Sequence, residues 1–64
     1  MAKRVDDKVE VLLLSVAQAA VSLGLGRTKV YELIDRGELP VVRIGRAIRL
    51  RPESLRVWVE QCER

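Results

Sequence analysis

Three observations in this sequence predict an α+β fold: two short helical patterns around a glycine, an arginine-rich β-hairpin, and a closing amphipathic helix. The first occupies Ser15 to Arg36, the second VVRIGRAIRL, and the third begins at Pro52. Sixty-four residues allow one small domain. Hydrophobic residues make up 48% of the chain, enough for one core and against wholesale disorder. A core of this size is only marginally stable unless it packs efficiently.

Ser15 has the features of a helix N-cap, with Gln18 three residues on completing a capping box. Leu14 before the cap and Ala19 within the first turn can form a hydrophobic staple. Val16, Ala19, Ala20 and Leu23 recur at helical spacing and mark the buried stripe. Gly24 suits the left-handed geometry that ends a helix, and Leu25 follows as an apolar plug. The second helix is expected from Gly26 or Arg27 to Arg36, with Val30, Leu33 and Ile34 inward and Gly37 as its stop. Thr28, Glu32 and Asp35 then point away from the stripe, flanked by Lys29, Tyr31 and Arg36. Ala20, Gly24 and Val30 therefore stand in helix-turn-helix spacing: a small residue at the crossing, glycine in the turn, a β-branched residue behind.

Leu39-Pro40 breaks any helix, and the following apolar alternation reads as a hairpin. A two-residue Gly45-Arg46 loop would place Arg43 on one face with Ile48 and Leu50. A three-residue Gly45-Arg46-Ala47 loop pairs Ile44 with Ile48 and Val42 with Leu50, which gathers the apolar residues on one face. The second register is the expectation, with Arg43 opposite Arg49. Pro52 suits the first position of the third helix, and Glu53 is favourable near its N-terminus. Leu55, Trp58, Val59 and Cys62 make its expected inward stripe, with Trp58 as core anchor and Cys62 semi-buried. Val21 and Val57 lie off their stripes, as ordinary exposed valines or as part of a protein contact. The architecture is that of a small winged helix-turn-helix over 12–62, preceded by a flexible leader over 1–11.

The net charge is +3, and its placement carries more than its total. Residues 1–14 are neutral and 52–64 sum to −1, whereas 27–51 hold seven basic and three acidic side chains. A basic surface confined to the middle of the chain fits a polyanion, although a solvated basic face has the same composition. The chain has no histidine and one cysteine, so it offers no intrachain disulfide and a poor donor set for zinc. No paired carboxylates converge on a pocket in the predicted fold, so an enzyme is not expected. No cofactor and no small-molecule substrate are expected either.

Asp6, Asp7 and Glu10 interrupt the start in a way a secretory signal would not. No apolar run reaches the roughly 18–20 residues that span a bilayer. The expected location is the cytoplasm of a bacterial host, at the nucleoid, with no membrane partner.

With that order of elements, the stretches LLSVAQAAVSLGLGRTKVYELIDRGELP, VRIGRAIRL and PESLRVWVEQ resemble the excisionase-type, MerR-like winged helix-turn-helix family over roughly residues 12–62. The resemblance implies that the second helix enters the major groove while the wing reaches the neighbouring minor groove or backbone. It also implies DNA contact at Arg27, Thr28, Lys29 and Tyr31. At Gly26 the family commonly carries Ser or Thr; Gly is a passable N-cap, at a cost of a few tenths of a kcal/mol. The extent of the chain, from Met1 to just past the third helix, is expected of excisionases rather than of regulators with a long dimerisation helix. Excisionases of this kind bind adjacent sites, bend DNA and direct an integrase toward excision.

The expected partners are therefore double-stranded DNA, further copies of the chain on adjacent sites, and a site-specific integrase. Residue chemistry assigns phosphate contacts to Lys29, Arg36, Arg43, Arg49 and the Tyr31 hydroxyl. Arg27 suits guanine, Thr28 a thymine methyl, and Glu32 a cytosine amino group. Arg46 at the wing tip suits a narrow minor groove. Each arginine could instead be a solvated side chain or half of a weak surface ion pair. Arg51 and Arg56 fit that description better than the wing arginines. The alternatives are a small transcriptional repressor and, in another class, an adaptor whose basic face docks an acidic protein.

Overall fold

A computed structural model describes residues 11–63. The expected leader over 1–11 lies, but for Val11, outside the described residues, as does Arg64. Helix α1 spans Val16–Leu23 and helix α2 spans Arg27–Asp35. Strands β1 (Val42–Ile44) and β2 (Ala47–Arg49) form an antiparallel hairpin, and helix α3 closes the chain over Pro52–Cys62. Among the described residues, no helix is long and apolar enough to cross a membrane.

Local chemistry explains each helix end. The Gln18 amide donates to Ser15 Oγ at 3.1 Å, and the Ser15 amide donates to Gln18 Oε1 at 2.9 Å. This reciprocal box satisfies two of the amides that the first turn of α1 leaves without helical partners. At the other end Gly24 takes φ +72°, which lets the Leu25 amide reach back to the Ala20 carbonyl at 2.9 Å. Leu25 then packs against the core as the plug that closes the turn. Helix α2 ends in the same motif: with Gly37 at φ +79°, the Glu38 amide reaches the Leu33 carbonyl at 2.9 Å. Its start is plainer, because Gly26 is the N-cap and supplies no side-chain acceptor.

The core is built from Val16, Ala19, Ala20, Val30, Leu33, Leu39, Leu50 and Leu55. Two alanines of α1 let α2 approach closely, so Val30 and Leu33 are almost wholly buried against them. Leu23 and Ile34, expected on the inward stripes, sit half-buried at the margin of this cluster.

The hairpin register differs from the expected one. Val42 pairs with Arg49, Arg43 with Ile48, and Ile44 with Ala47, around a two-residue Gly45-Arg46 turn. The reason lies outside the hairpin. Leu50 is bridged to Leu14, with backbone bonds of 2.7 and 2.8 Å, and is fully buried. Successive residues of a strand present their backbone groups to opposite sides. With Leu50 committed to Leu14, its neighbour Arg49 faces Val42. Gly45 takes φ +59° and Arg46 does not have a positive φ, the sign pattern of a type II′ turn with glycine first. Arg43 therefore opposes Ile48, and no like-charged pair faces across the strands.

The third helix also departs from its expected stripe. Leu55 is buried, but Trp58 is half-buried, Val59 is 39% exposed and Cys62 is exposed. The last turns of α3 lie at the rim of the small core, with Val59 on a shallow groove beside Leu14 and Leu23 and Cys62 on another beside Gly37 and Glu38, so neither is enclosed. Trp58 instead places its ring against the core and donates its indole N–H to Glu38 Oε1 at 3.2 Å. Val21 and Val57 are both exposed.

Candidate nucleic-acid interface

Helix α2 carries its outward residues on two flanks, because side chains advance by about 100° per residue. Arg27 and Tyr31, four apart, lie along one flank; Lys29 and Arg36, seven apart, lie along the other. Thr28, Glu32 and Asp35 occupy the ridge between them, opposite Val30 and Leu33. All seven are exposed.

The first flank faces the wing. Arg27 and Tyr31 line a groove of about 340 Å³ together with Ser15, Val16 and Ala17 at the start of α1 and residues 46–49 of the hairpin. Arg46 and Arg49 therefore come together with Arg27 and Tyr31, and among the described residues no acidic side chain lines the groove. The route to this arrangement is architectural. The Leu14–Leu50 bridge fixes the root of β2 beside the entry to α1, and the Gly24 turn fixes the angle at which α2 leaves it. Arg46 occupies the second position of the tight turn and is exposed. Arg49 is half-buried, with Nη1 donating to the Ile48 carbonyl at 2.9 Å, so its guanidinium is tethered rather than free. Among the described residues, none of Arg27, Arg46 and Arg49 has a carboxylate within ion-pair distance.

The second flank is charge-compensated. Lys29 Nζ lies 3.8 Å from Glu32 Oε1, one helical turn along. Arg36 Nη1 lies 3.4 Å from Glu38 Oε2, just past the helix end. The Trp58 hydrogen bond, with the bond and charge of Arg36 and the charge of Lys29, holds the Glu38 carboxyl below its ordinary range against a smaller opposing effect of desolvation. Arg43 stands apart from both flanks, exposed on β1 opposite Ile48 and outside the lining of the groove. The expected residues thus fall into four groups: Arg27, Tyr31, Arg46 and Arg49 around one groove, Lys29 and Arg36 paired on the far flank, Thr28 and Glu32 on the ridge between, and Arg43 alone. The start of α1 is a part of the groove that residue-by-residue reading missed. Its only signal in the sequence is the capping box, which locates the helix start but not what faces it.

Two helices set at a glycine turn, with a hairpin folded beside the second, define the winged helix-turn-helix class. The chain belongs to the helix-turn-helix domain family, whose model matches residues 13–63. A Saccharopolyspora erythraea protein named "Probable excisionase" is 51% identical over 49 residues, 77% of this chain and 47% of that protein. A Mycobacterium tuberculosis protein provisionally named as DNA-binding is 38% identical over 48 residues, 75% of this chain and 62% of its own length. The chain thus spans about half to three-fifths of these relatives. No solved structure matches it.

Proposed function

We propose that this domain binds double-stranded DNA, with α2 in the major groove and the hairpin against the adjoining backbone or minor groove. The observation that carries the reading is the convergence of Arg27, Tyr31, Arg46 and Arg49 on one groove, with no acid in its lining among the described residues. Guanidiniums with no carboxylate in reach among the described residues, one on α2 and two on the hairpin, suit the phosphates of a duplex that spans helix and wing. Arg27, Arg46 and Arg49 then supply sequence-independent affinity, joined by the Tyr31 hydroxyl. Thr28 and Glu32, on the ridge of α2, present a methyl and a carboxylate to base edges. Arg43 makes at most an outlying backbone contact.

In the cell this binding serves excision of a mobile element: copies of the domain on adjacent sites bend the DNA and direct an integrase toward excision. The name carried by the 51% identical relative supports that role. The MerR-like resemblance of the three quoted stretches is consistent with it.

A fluorescence-anisotropy titration with a labelled mixed-sequence duplex, repeated across salt concentrations, tests the binding. Each of Arg27→Gln, Arg46→Gln and Arg49→Gln is expected to flatten the plot of log affinity against log salt by about 0.9. Thr28→Ala is expected to leave that slope unchanged and to alter which sequences a random-library selection enriches. No detectable binding, or slopes unmoved by all three arginine variants, would leave the protein-docking adaptor as the better reading. An excision assay with the integrase encoded beside the gene tests the cellular role.

A further inference from the structure

The two flanks of α2 carry similar cations in different electrostatic states. Arg27 has no carboxylate in reach among the described residues, whereas Arg36 is 3.4 Å from Glu38. Most surface ion pairs are weak because both long side chains must be ordered to form them. Glu38 is different, because it is held independently of Arg36. Its amide is bound to the Leu33 carbonyl at 2.9 Å in the motif that ends α2. Its Oε1 accepts from the indole of Trp58 at 3.2 Å, and that indole is itself packed against the core. The carboxylate is thus fixed at its backbone and at one oxygen, and the other oxygen is presented to Arg36 Nη1. Only Arg36 must be ordered to complete the pair.

We infer that Glu38 is an affinity-limiting residue that occupies Arg36 in place of a DNA phosphate, so that the duplex backbone is gripped from the wing side of α2 alone. This rests on the proposed DNA-binding reading and assigns Arg36 a different part from its neighbours. A phosphate contact adds affinity for every sequence equally. Withholding one therefore lowers binding to every duplex by the same factor and weakens its salt dependence, while the ratio between sites stays with the base-reading ridge. The weaker Lys29–Glu32 pair acts on the same flank in the same sense.

The test uses the full chain and a labelled duplex of mixed sequence. Glu38→Gln keeps an acceptor for Trp58 and removes the charge that holds Arg36. It is expected to tighten binding at low salt and steepen the salt slope by about 0.9, which is roughly a 3.5-fold greater loss of affinity between about 50 and about 200 mM salt. Arg36→Gln alone is expected to leave the slope unchanged, and the double variant Arg36→Gln/Glu38→Gln to return it to the wild-type value. Three results would overturn the inference. Glu38→Gln could leave the slope unmoved; Arg36→Gln could flatten it as Arg46→Gln does; or the steepening could survive in the double variant, which would mark a general field effect. Arg36 is 56% exposed and has no other charged partner among the described residues, so its variant folds whatever becomes of Glu38→Gln. Arg46→Gln separates the two failures. If it flattens the slope while the Glu38 and Arg36 variants behave otherwise than stated, only this inference falls. If no variant alters the slope, the DNA-binding reading falls and takes the inference with it.

Discussion

Replacing Leu50 by alanine is expected to destabilise the domain by about 3–5 kcal/mol, in the upper part of the Leu→Ala range. Leu50 is completely buried and lies where the hairpin, the lead-in residue Leu14 and the core meet. Two backbone bonds, 2.7 and 2.8 Å long, clamp it to Leu14, so the chain cannot shift inward to fill the space a smaller side chain leaves. A domain of 64 residues has about 3–10 kcal/mol of total stability at roughly 0.05–0.15 kcal/mol per residue. The substitution therefore consumes most of the margin and leaves a large unfolded fraction in water. Urea unfolding followed by the fluorescence of half-buried Trp58 provides the measurement, with Leu50→Val at about 1 kcal/mol as the milder variant that stays on scale. Ile44→Ala is the internal comparison, because Ile44 belongs to the same hairpin but is 56% exposed at its tip. It is expected to cost less than about 1 kcal/mol. Equal losses for the two residues, or a loss under about 1 kcal/mol for Leu50→Ala, would refute the claim that the wing is seated through Leu50.

Ser15→Ala removes the hydroxyl that accepts from the Gln18 amide and is expected to cost about 0.5–2 kcal/mol, read as a lower Tm in a circular-dichroism melt. Gly37→Ala puts a side chain at φ +79°, where a Cβ would meet nothing within 4 Å, so its expected cost of about 1–2 kcal/mol is backbone strain alone. Because Trp58 and Arg36 lower the folded-state pKa of Glu38, its contribution is complete above the ordinary glutamate range, about 4.3, and disappears as the pH falls through the lower folded value. Stability measured against pH should therefore decline less steeply on the acid side for Glu38→Gln than for the parent chain.

The helical part of the fold is legible because its determinants are local. Ser15 and Gln18 are three residues apart, and Gly24 and Gly37 each follow an apolar stripe, so spacing alone locates both helices and the turn between them. The hairpin register is not local. Preferring one continuous apolar face overlooks Leu14, thirty-six residues away in the chain, whose bridge to Leu50 decides which residues face β1. The end of α3 shows the converse. Val59 and Cys62 fit a helical stripe, but a periodic pattern names a face without saying whether anything covers it. At the interface, residue type identifies the cations, and the Lys29–Glu32 pair follows from helical spacing. The Arg36–Glu38 pair depends on the reversal at Gly37 and on an indole from α3, so no spacing rule reaches it.

Strand β1 has one further consequence, which concerns what the domain avoids. Its outer side is a free sheet edge among the described residues, since β1 pairs only with β2. Such edges are templates for pairing with other chains, and the sequence here, Val41-Val42-Arg43-Ile44, is apolar except at one position. Exposed Arg43 in the middle of a three-residue strand interrupts that run with a charge and keeps the edge from growing. Arg43 is thus a gatekeeper against aggregation, and a hydrophobic residue in its place would make the wing sticky before it made it loose.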